Sequence, residues 1–587
     1  MKILLTVHQF FPEYFSGTEV LTFSVAKELL SRGHQVSVFT GYPARKLIPD
    51  AQRFDQYEIE GIQVYRFHHA FVPMGEQQTV SEIEYNNHFA ARYFMSLVAD
   101  IKPDVVHFFH FSRLGAALVD VVRQRDIPAY YTPTDFWAVC STSQLLLEDG
   151  NVCDGPSRHG GNCIKHVAMR THWRHYSKLV RHLPDAAMDL IAATAKMKVD
   201  VNFPFKHEIA ALSNRKPFNV SRLNALQGIV SPTQLMTDVL VRNGVRQDLI
   251  TQSSYGINVS GYDEAQERLS AEQGITFGYI GTLAPHKGCH VLIPAFLELA
   301  NNSTSLKIYG SPNEFPDYVA ELKQAAQGHD AIEFCGTFPN DKIAEVLAGI
   351  DVLVVPSVWY ENTPLVVYSA LAAKCPVIAS DFAGMSEVIH DGWNGMLFTP
   401  RSTEALGECM RRLMSQPELL GELSKNCQPP KSISTYVDAL LGLYEKCPTA
   451  PRFELEDPQL FEPFIPSNSH GSVSGWVVAS KNEPFAVRVF DDGQEVGLTT
   501  HFVPRLDVRD NLRSSRMKVK TANFGFSLNL SQSINRFSAT LEIEDNQGTK
   551  HRVSFSKLVV GKSVQLGEQV FVGLDQEEFR KIIFRNE

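Results

Sequence analysis

Short apolar runs alternate with helical patterns over most of the chain. Lys2–Val7 is a compact run of strand-forming residues, and Glu19–Leu30 carries apolar residues at helical spacing until Gly33 ends the pattern. The alternation continues with strands predicted at Gln35–Thr40, Asp104–Phe109 and Ile127–Thr132, and with a helix near Leu114–Arg125. Because strands that are apolar throughout are usually buried on both faces, this pattern predicts a parallel sheet with helices on both sides.

The alternation restarts after a seam near Ser254–Gly274. The predicted strands are Thr276–Ile280, Leu306–Tyr309, Asp351–Pro356 and Pro376–Ser380, and the predicted helices are Gly288–Ala300, Lys342–Leu347 and Pro364–Ala373. Two α/β domains therefore follow one another. A ligand is expected in the cleft between them, at the carboxyl ends of the strands.

The pattern changes from about Pro448, where the proline-rich stretch CPTAPRFELEDPQLFEPFIP is typical of a linker. The runs that follow are short and alternating, as in half-buried strands: Val473–Ala479, Ala486–Phe490, Phe524–Leu530, Ser538–Ile543 and Val553–Leu558. We therefore predict Rossmann-like α/β domains at 1–255 and 256–447, a linker at 448–470 and a small β-sandwich-like domain at 471–587. The last helix of the second domain is a candidate for packing back on the first.

Composition and charge limit the classes of function and the cellular locations to be expected. Hydrophobic residues make up 44% of the chain and charged residues 20%, as in an ordinary soluble globular protein. The formal net charge of −10 argues against a nucleic-acid partner, since nothing basic dominates to neutralise phosphates. His8 and Gln9 interrupt the first apolar run, and no stretch of about 18 apolar residues follows, so neither a signal peptide nor a spanning helix is predicted. The odd number of cysteines, nine, fits a reducing compartment, so we expect a cytoplasmic protein, free or peripheral to the inner face of the membrane.

The first candidate binding site is a loop-to-helix junction, Ser16-Gly17-Thr18-Glu19, which lies directly after the first strand region. Gly17 there lets backbone N–H groups approach an anion, and the helix dipole adds attraction. The alternative is a plain turn with Thr18 as a capping residue.

A second junction runs from Gly281 to Gly288 and places Lys287 between a strand and a helix. Lysine supplies a compact positive charge suited to a diphosphate leaving group. The alternative is a solvated loop lysine, and an exposed charge of that kind would add little to stability. His286 is interpreted as a bystander.

A third junction, Pro356–Leu365, contains a threonine–proline pair that makes a good helix start. Glu361 lies just outside that start, where a carboxylate can accept hydrogen bonds from sugar hydroxyls. The backbone N–H groups of Asn362, Thr363 and Leu365 are expected to face a phosphate. The alternative is an acid that only caps its own helix.

Residues from about 1 to 445 resemble the retaining glycosyltransferases of family 4, which have the GT-B fold of two Rossmann-like domains facing a cleft. The matching stretches are SGTE, KPDVVHFFH, YGI, GTLAPHKGCHVLIPAF, GTFPNDKIAEVLAGIDVLVVPS, WYENTPLVVYSALAAKCPVIASD and GMSEVIHDGWNGMLF. The resemblance implies a UDP- or GDP-linked sugar donor on the second domain and a saccharide or glycolipid acceptor on the first. It also implies transfer with retained anomeric configuration in polysaccharide or glycolipid assembly, with no cofactor and no catalytic metal.

The resemblance further implies roles for single residues. Its catalytic set is Lys287, Glu361 and Asp135, of which Lys287 would neutralise the donor diphosphate and Glu361 would contact the donor sugar. The loop Phe382–Glu387 would lie beside the sugar. The donor-binding set that the resemblance implies is Gly17, Gly281, Asn362, Thr363, Leu365, Ser369 and Glu387.

Three positions depart from the family pattern. Where the family has a second glutamate that holds the ribose, this chain has Ser369, and one hydroxyl cannot hold both ribose hydroxyls as a carboxylate can. Thr282 stands where an arginine is common, and the family's His-Asp pair reads Thr134-Asp135. His110 at a strand end either serves near Asp135 or packs in the core.

Cys140, Cys153 and Cys163 lie in one loop-rich stretch, at spacings that are loose for a zinc knuckle. With His159 or His166 as a fourth ligand they would hold a structural metal. The alternative is a set of free buried thiols. A catalytic cysteine is not expected, since no base is evident beside any of the three.

The last domain, with Gly475-Trp476, resembles a β-sandwich module found on some bacterial glycosyltransferases. Trp476 is either core packing or a sugar-stacking surface. The match is short and implies no further site residue.

Two other functions are open at this stage. One is a nucleotide-sugar- or glycan-binding protein of the same fold that has lost catalysis, which Ser369 and Thr134 suggest. The other is an epimerase or phosphorylase of the same fold, for which no basic site for inorganic phosphate is evident. Because Lys287 and Glu361 are both retained, the active transferase is favoured.

Overall fold

A computed structural model describes residues 1–44, 52–69, 79–147, 149–170, 180, 182–196, 203–262, 265–268, 274–299, 304–362, 364–445, 472–479, 484–491, 494–499, 502–504, 523–529, 540–545, 550–554, 564–566 and 570–574. The chain divides into two compact units, Met1–Glu454 and Leu455–Glu587. Among the described residues, none of the helices combines the length and the apolar character needed to cross a membrane.

The first sheet of the larger unit has eight strands, β1 (Lys2–Val7), β2 (Gln35–Pro43), β3 (Phe54–Ile59), β4 (Ile62–His69), β5 (Val105–Phe108), β6 (Ala129–Tyr131), β7 (Gly228–Ser231) and β8 (Ile250–Gln252). Their order is β3-β4-β2-β1-β5-β6-β7-β8. All neighbouring pairs except β3–β4 are parallel, and in the centre Leu4 lies between Ser37 and Val106. The central strands are almost wholly buried, as their apolar sequences predict.

The edge pair β3–β4 is antiparallel, so the prediction of a purely parallel sheet is wrong there. Glu60 and Gly61 close this hairpin with φ angles of 46° and 80°. Two residues with positive φ form the tight turn whose twist suits antiparallel strands. Parallel strands cannot be joined by so short a connection.

The helices around the first sheet are Gly17–Ser31, Val80–Tyr85, His88–Ile101, Leu118–Gln124, Gly161–Arg170, Asp185–Lys196, Lys206–Leu223 and Gln234–Arg242, with a short 3₁₀ turn at Gln247–Leu249. The three from Gly161 to Leu223 share a small apolar core of their own that includes Ile164, Met188 and Leu212. They form a helical insertion between β6 and β7.

The second sheet has six parallel strands, β9 (Ile275–Ile280), β10 (Thr304–Tyr309), β11 (Ile332–Gly336), β12 (Val352–Val355), β13 (Val377–Ser380) and β14 (Gly395–Phe398). Their order is β11-β10-β9-β12-β13-β14. The helices around this sheet are Cys289–Leu297, Pro316–Ala325, Ile343–Ala348, Leu365–Ala372, Ala383–Ser386, Thr403–Ser415 and Pro417–Lys425, with 3₁₀ turns at Pro285–Lys287 and Asn340–Lys342. The predicted strands and helices of this region are present, most within two residues of the predicted bounds.

The helix Ile433–Glu445 returns to the first sheet. Tyr436, Leu440 and Tyr444 pack in the apolar cluster formed by β1, β2 and the first helix. The Tyr444 hydroxyl lies 2.7 Å from Nδ1 of His107 on β5. This helix therefore ties the second domain to the first sheet.

The smaller unit contains two antiparallel sheets. One has the order β18-β19-β15-β23-β22, and the other β17-β16-β20-β21. The strands are β15 (Ser472–Ala479), β16 (Pro484–Asp491), β17 (Gln494–Thr499), β18 (Phe502–Pro504), β19 (Asn523–Asn529), β20 (Thr540–Asp545), β21 (Lys550–Ser554), β22 (Val564–Leu566) and β23 (Val570–Leu574). The predicted run Val553–Leu558 corresponds to β21, which begins three residues earlier. The predicted linker at 448–470 lies outside the described residues.

Candidate active site

The candidate residues lie in loops that follow the carboxyl ends of parallel strands. In the second sheet these loops follow β9, β12 and β13, and in the first sheet they follow β1, β5 and β6. Contacts between the two groups of loops show that the edges face each other. Asn362, after β12, donates from Nδ2 to the Pro133 carbonyl after β6 at 3.3 Å. This is the cleft position predicted from the sequence.

Lys287 lies in the 3₁₀ turn Pro285–Lys287 after β9. Gly288 follows with a φ of +81°, and a Cβ there would lie 1.8 Å from the Pro356 carbonyl oxygen. Only glycine therefore allows this turn to pack directly on the loop after β12. The Val358 N–H donates to the His286 carbonyl at 2.9 Å and joins the same two loops.

Glu361 is the centre of a compact hydrogen-bonded group. Its Oε1 accepts hydrogen bonds from Lys287 Nζ at 2.7 Å, Ser357 Oγ at 2.6 Å and Trp359 Nε1 at 2.8 Å. Glu361 is only 4% exposed. The lysine and the glutamate, predicted separately, thus form one buried ion pair, and Ser357 and Trp359 are partners that the sequence interpretation missed.

The electrostatics of the group favour an ionised Glu361. Burial acts to raise the pKa of Glu361, but the Lys287 charge and the hydrogen bonds from Lys287, Ser357 and Trp359 outweigh it and lower the pKa. A lowered pKa means that the pair stabilises the fold above the ordinary glutamate pKa and loses this contribution as pH falls through the folded value. The carboxylate is therefore charged under neutral conditions.

The rings of Trp359 and His286 pack beside Lys287. Lys287 Nζ lies 5.2 Å from the Trp359 ring centroid, and the His286 ring meets the same indole edge-on at 5.0 Å. Burial, followed by the charge of Lys287, lowers the pKa of His286 to about 4. His286 is consequently a neutral packing residue, in line with its interpretation as a bystander.

The other predicted donor-binding residues of the second domain have different environments. The Asn362 side chain bridges the domains, because Oδ1 accepts from Thr233 Oγ1 at 2.7 Å and Nδ2 donates to Tyr255 Oη at 3.0 Å. Leu365 is the first residue of the helix Leu365–Ala372, and Ser369 is buried within it. Gly281 lies next to the Tyr279 hydroxyl. Thr363 lies outside the described residues.

Glu387 contacts the first domain. Its carboxylate accepts from the backbone N–H groups of Gln234 at 2.6 Å and Leu235 at 2.9 Å. These N–H groups open the helix Gln234–Arg242, so Glu387 caps a helix of the opposite domain. The geometry shows this structural contact and does not itself show a sugar contact.

Glu387→Ala is expected to lower the free energy of unfolding by about 1 kcal/mol, the usual cost of losing a helix cap. Urea unfolding of the two proteins measures the difference. The matched control is Glu404→Ala, because Glu404 is an exposed first-turn residue of the helix Thr403–Ser415, which has its own cap in Ser402. A loss no larger than that of the control would show that the contact between the domains does not stabilise the fold.

Gly17 begins the helix Gly17–Ser31 and has open space where a Cβ would lie. The Ser16 N–H donates to Glu19 Oε2 at 2.8 Å, so Glu19 reaches back to the residue that precedes the helix. Thr18, the capping residue of the alternative interpretation, instead donates from Oγ1 to Thr134 Oγ1 at 2.9 Å. This helix start is exposed at Gly17, as an anion site requires.

Asp135 pairs with His110. His110 Nε2 lies 2.9 Å from Asp135 Oδ2, and Asp135 Oδ1 accepts from the Trp137 N–H at 2.8 Å. The His110 ring packs against the His8 ring at a tilt of 39°, with ring centroids 4.2 Å apart. The neighbouring strands β5 and β6 thus build a His-Asp pair although the residue before Asp135 is threonine.

Comparison with known protein families finds a match on each side of this cleft. Residues 15–200 match the family model "Glycosyltransferase Family 4", and residues 274–416 match "Glycosyl transferases group 1". The first match contains Gly17, His110 and Asp135, and the second contains Lys287 and Glu361. The two matches support a glycosyltransferase.

Known relatives cover parts of the chain. An alpha-D-kanosaminyltransferase of Streptomyces kanamyceticus is 26% identical over 31% of this chain and 48% of its own length. A D-inositol 3-phosphate glycosyltransferase of Rhodococcus erythropolis is 28% identical over 31% of this chain and 44% of its own length. The chain thus spans less than half the length of these two relatives. An uncharacterized glycosyltransferase of Methanocaldococcus jannaschii is 22% identical over 71% of this chain and 89% of its own length.

Among solved structures, sucrose-phosphate synthase from Thermosynechococcus elongatus superposes with a TM-score of 0.52 at 17% identity, over 76% of this chain and 98% of that chain. The fold is GT-B. In this GT-B chain the two parallel sheets are the Rossmann-like cores, and the group around Glu361 lies on the side of the second core that faces the first. The predicted fold class is confirmed.

Proposed function

We propose that this protein is a glycosyltransferase that moves a sugar from a nucleotide-sugar donor to a saccharide or glycolipid acceptor with retention of anomeric configuration. The observation that carries the proposal is the buried Lys287–Glu361 pair at 2.7 Å, placed where the two domains face each other. The two family matches support the same activity. The expected setting is polysaccharide or glycolipid assembly at the cytoplasmic side of a membrane.

Lys287 is suited to the leaving diphosphate. Its ammonium group has three donors, of which Glu361 takes one, and its side chain keeps 23% of its surface exposed. The remaining donors can reach a ligand in the cleft. The open helix start at Gly17 offers backbone N–H groups to the same phosphates from the first domain. Both features stabilise charge that develops on the leaving group.

Glu361 is suited to hold a sugar rather than to attack it. Three donors converge on Oε1 and fix the side chain, and a carboxylate whose pKa is lowered by a cation is a weak nucleophile. In the proposed step the bond from the anomeric carbon to the diphosphate oxygen breaks, and the acceptor oxygen bonds to the same face of that carbon. The acceptor proton passes to the departing phosphate. The protein acts by positioning and charge stabilisation, so no cofactor or catalytic metal is part of the proposal.

On the first domain we assign the acceptor side to Asp135. Its Oδ2 is held by His110, and 26% of the Asp135 side chain remains exposed. A carboxylate in this position can accept a hydrogen bond from an acceptor hydroxyl. We infer that His110, through its contact with Asp135, takes the role of the family histidine that Thr134 replaces.

The proposal is tested by incubating the full chain with UDP- and GDP-sugars and a panel of saccharide and glycolipid acceptors. Release of nucleoside diphosphate that depends on the acceptor is expected for one donor class, and NMR of the product should show the anomeric configuration of the donor. An inverted product would contradict retention. Nucleotide binding without release in any combination would favour a protein that only binds its ligand.

Ser369 gives a test of the ribose site. Ser369→Glu should tighten nucleoside diphosphate binding about tenfold or more, because a carboxylate accepts from both ribose hydroxyls and hydrogen bonds to charged groups contribute about 1.5–3 kcal/mol. Calorimetric titration measures the change, and Ser369→Ala serves as the control that removes the hydroxyl without adding charge. Unchanged or weaker binding by Ser369→Glu would show that the ribose is held elsewhere.

A further inference from the structure

Three thiols and one imidazole surround a small cavity in the first domain. Cys140, Cys153, Cys163 and His166 line it, together with backbone and apolar groups of the same loop. Its volume of about 10 Å³ is the space of a single water molecule or ion. Three thiols and an imidazole are the ligand set of a common type of structural zinc site.

The local structure places these four side chains along the lining of one cavity. Cys163 and His166 lie one turn apart on the helix Gly161–Arg170, so their side chains leave the same face. Cys140 and Cys153 flank the bridge between Leu146 and Val152, which folds the loop back on itself. His159, the other candidate in the sequence, does not line the cavity; its backbone is bound by Asp189 and Ser213.

One of the four groups lacks a hydrogen-bond partner. Nε2 of His166 is buried and has no partner among the described residues. Cys153 Sγ, by contrast, is hydrogen-bonded within its own loop: it accepts from the Gly155 N–H at 3.4 Å and from Asn162 Nδ2 at 3.8 Å, and it donates to the Gly155 carbonyl at 3.6 Å. The unpartnered imidazole nitrogen is the polar atom at this cavity that a ligand would satisfy.

We propose that Cys140, Cys153, Cys163 and His166 bind one structural zinc ion. In the described residues, no three His, Cys, Asp or Glu side chains are now close enough together to hold an ion. Binding therefore requires the four side chains to turn into the cavity that they line. Each thiol loses one proton to solvent as its sulfur bonds to the ion, and His166 binds through its unpartnered Nε2.

The zinc would fix a loop that contacts the donor side of the cleft. Gln144, between the first two cysteines, lies with Nε2 3.4 Å from His286 Nδ1, next to Lys287. Gly150, in the same loop, lies against the guanidinium of Arg401, which donates to the Val358 carbonyl at 3.1 Å. The ion is thus a positioning element of the first domain and takes no part in group transfer.

The test is the zinc content of the full chain, purified without chelators and measured by mass spectrometry of the metal. Stoichiometric zinc is expected in the wild type, with loss of the ion in Cys163→Ser and in His166→Ala. The control is Cys335→Ser, which removes a half-buried thiol on β11 and should leave the zinc content unchanged. The readout does not depend on transfer, so it stands apart from the proposed function.

Cobalt substitution tests metal binding by the wild-type protein, so the proposal can still be tested if the variants fail to fold. Wild-type protein stripped of metal under reducing conditions and loaded with Co²⁺ alone should show the intense visible bands of tetrahedral thiolate ligation. Wild-type protein that carries no zinc and binds neither Zn²⁺ nor Co²⁺ would overturn the proposal. Zinc retained by both folded variants would overturn this ligand set.

Discussion

Lys287→Ala is expected to abolish transfer and also to destabilise the fold. Loss of one group that stabilises developing charge typically lowers kcat about 100- to 1000-fold. The alanine also leaves Glu361 buried with no cation, and breaking a buried pair costs about 3–5 kcal/mol, toward the lower end here because Lys287 is partly exposed. Turnover with the cognate donor and urea unfolding measure the two effects separately.

The destabilisation should depend on pH. In the wild type the pKa of Glu361 is lowered, so the pair contributes fully above the ordinary glutamate pKa and is lost as pH falls through the folded value. Without Lys287, the lowering by its charge and its hydrogen bond is lost, so we expect the pKa of Glu361 to rise above its wild-type value and the carboxyl group to protonate at a higher pH. The stability difference between the two proteins should therefore be largest at neutral pH and shrink toward acidic pH.

Two further variants separate charge from packing. Lys287→Met with Glu361→Gln removes both charges and should recover most of the lost stability while transfer stays abolished. Lys425→Ala removes an exposed lysine of the same domain and should change neither property. Wild-type turnover by Lys287→Ala would remove this residue from the mechanism, and wild-type stability at every pH would contradict the buried pair.

Gly384→Ala is expected to have the second largest effect. A Cβ on Gly384 would lie 1.9 Å from the Glu361 carbonyl oxygen, far inside contact distance. A backbone oxygen cannot yield without moving Glu361 itself. We expect transfer to fall about 100-fold, the cost of displacing a catalytic group by about 1 Å, and stability to fall by about 1–3 kcal/mol from overpacking.

The matched control is Gly442→Ala, in the helix Ile433–Glu445. A Cβ at Gly442 meets no atom within 4 Å, and alanine is the better helix former, so this variant should keep full activity and gain up to about 1 kcal/mol. Thermal unfolding and initial transfer rates compare the two variants. A fully active Gly384→Ala with wild-type stability would show that the loop after β13 does not fix the position of Glu361.

The sequence predicts the fold well because the signals are local and repeated. Buried strands such as β1 are short apolar runs, and the helices after them have clear spacing and glycine stops. The sequence analysis did not predict the edge hairpin β3–β4, because its strands mix apolar and polar positions. Its turn, Glu60-Gly61, also lacks the Asn-Gly or Asp-Gly pair that marks such a hairpin most strongly.

The sequence predicted single residues of the candidate site, but it did not predict which of them contact each other. Lys287 and Glu361 each lie at a recognisable helix start, yet 74 positions separate them, and nothing local shows that they meet. The alternative interpretation of Lys287 as a solvated loop lysine did not anticipate its ion pair with Glu361. The contacts of Asn362 and Glu387 with the opposite domain were equally invisible, because they depend on how the domains face each other. Their roles as donor-binding residues stay predictions.

The first-domain pair shows what a short motif can miss. The sequence offered Thr134 in place of the family histidine, which suggested a vacant role. Neighbouring parallel strands place their carboxyl ends side by side, so His110 after β5 reaches Asp135 after β6 at 2.9 Å. The relevant signal was a histidine at the end of the adjacent strand, and strand order was needed to use it.

The central claim, a nucleotide-sugar site built on Lys287 and Glu361, is tested most directly by calorimetric titration of the full chain with UDP, GDP and ADP. Lys287→Met is titrated beside the wild type, because methionine keeps the packing of the lysine stem and removes only the charge. The account predicts that the wild type binds one of these nucleotides clearly and that the variant binds it at least about tenfold more weakly, the loss of a hydrogen bond to a charged group. Equal binding by both proteins, or no binding of any nucleotide by the wild type, would contradict it.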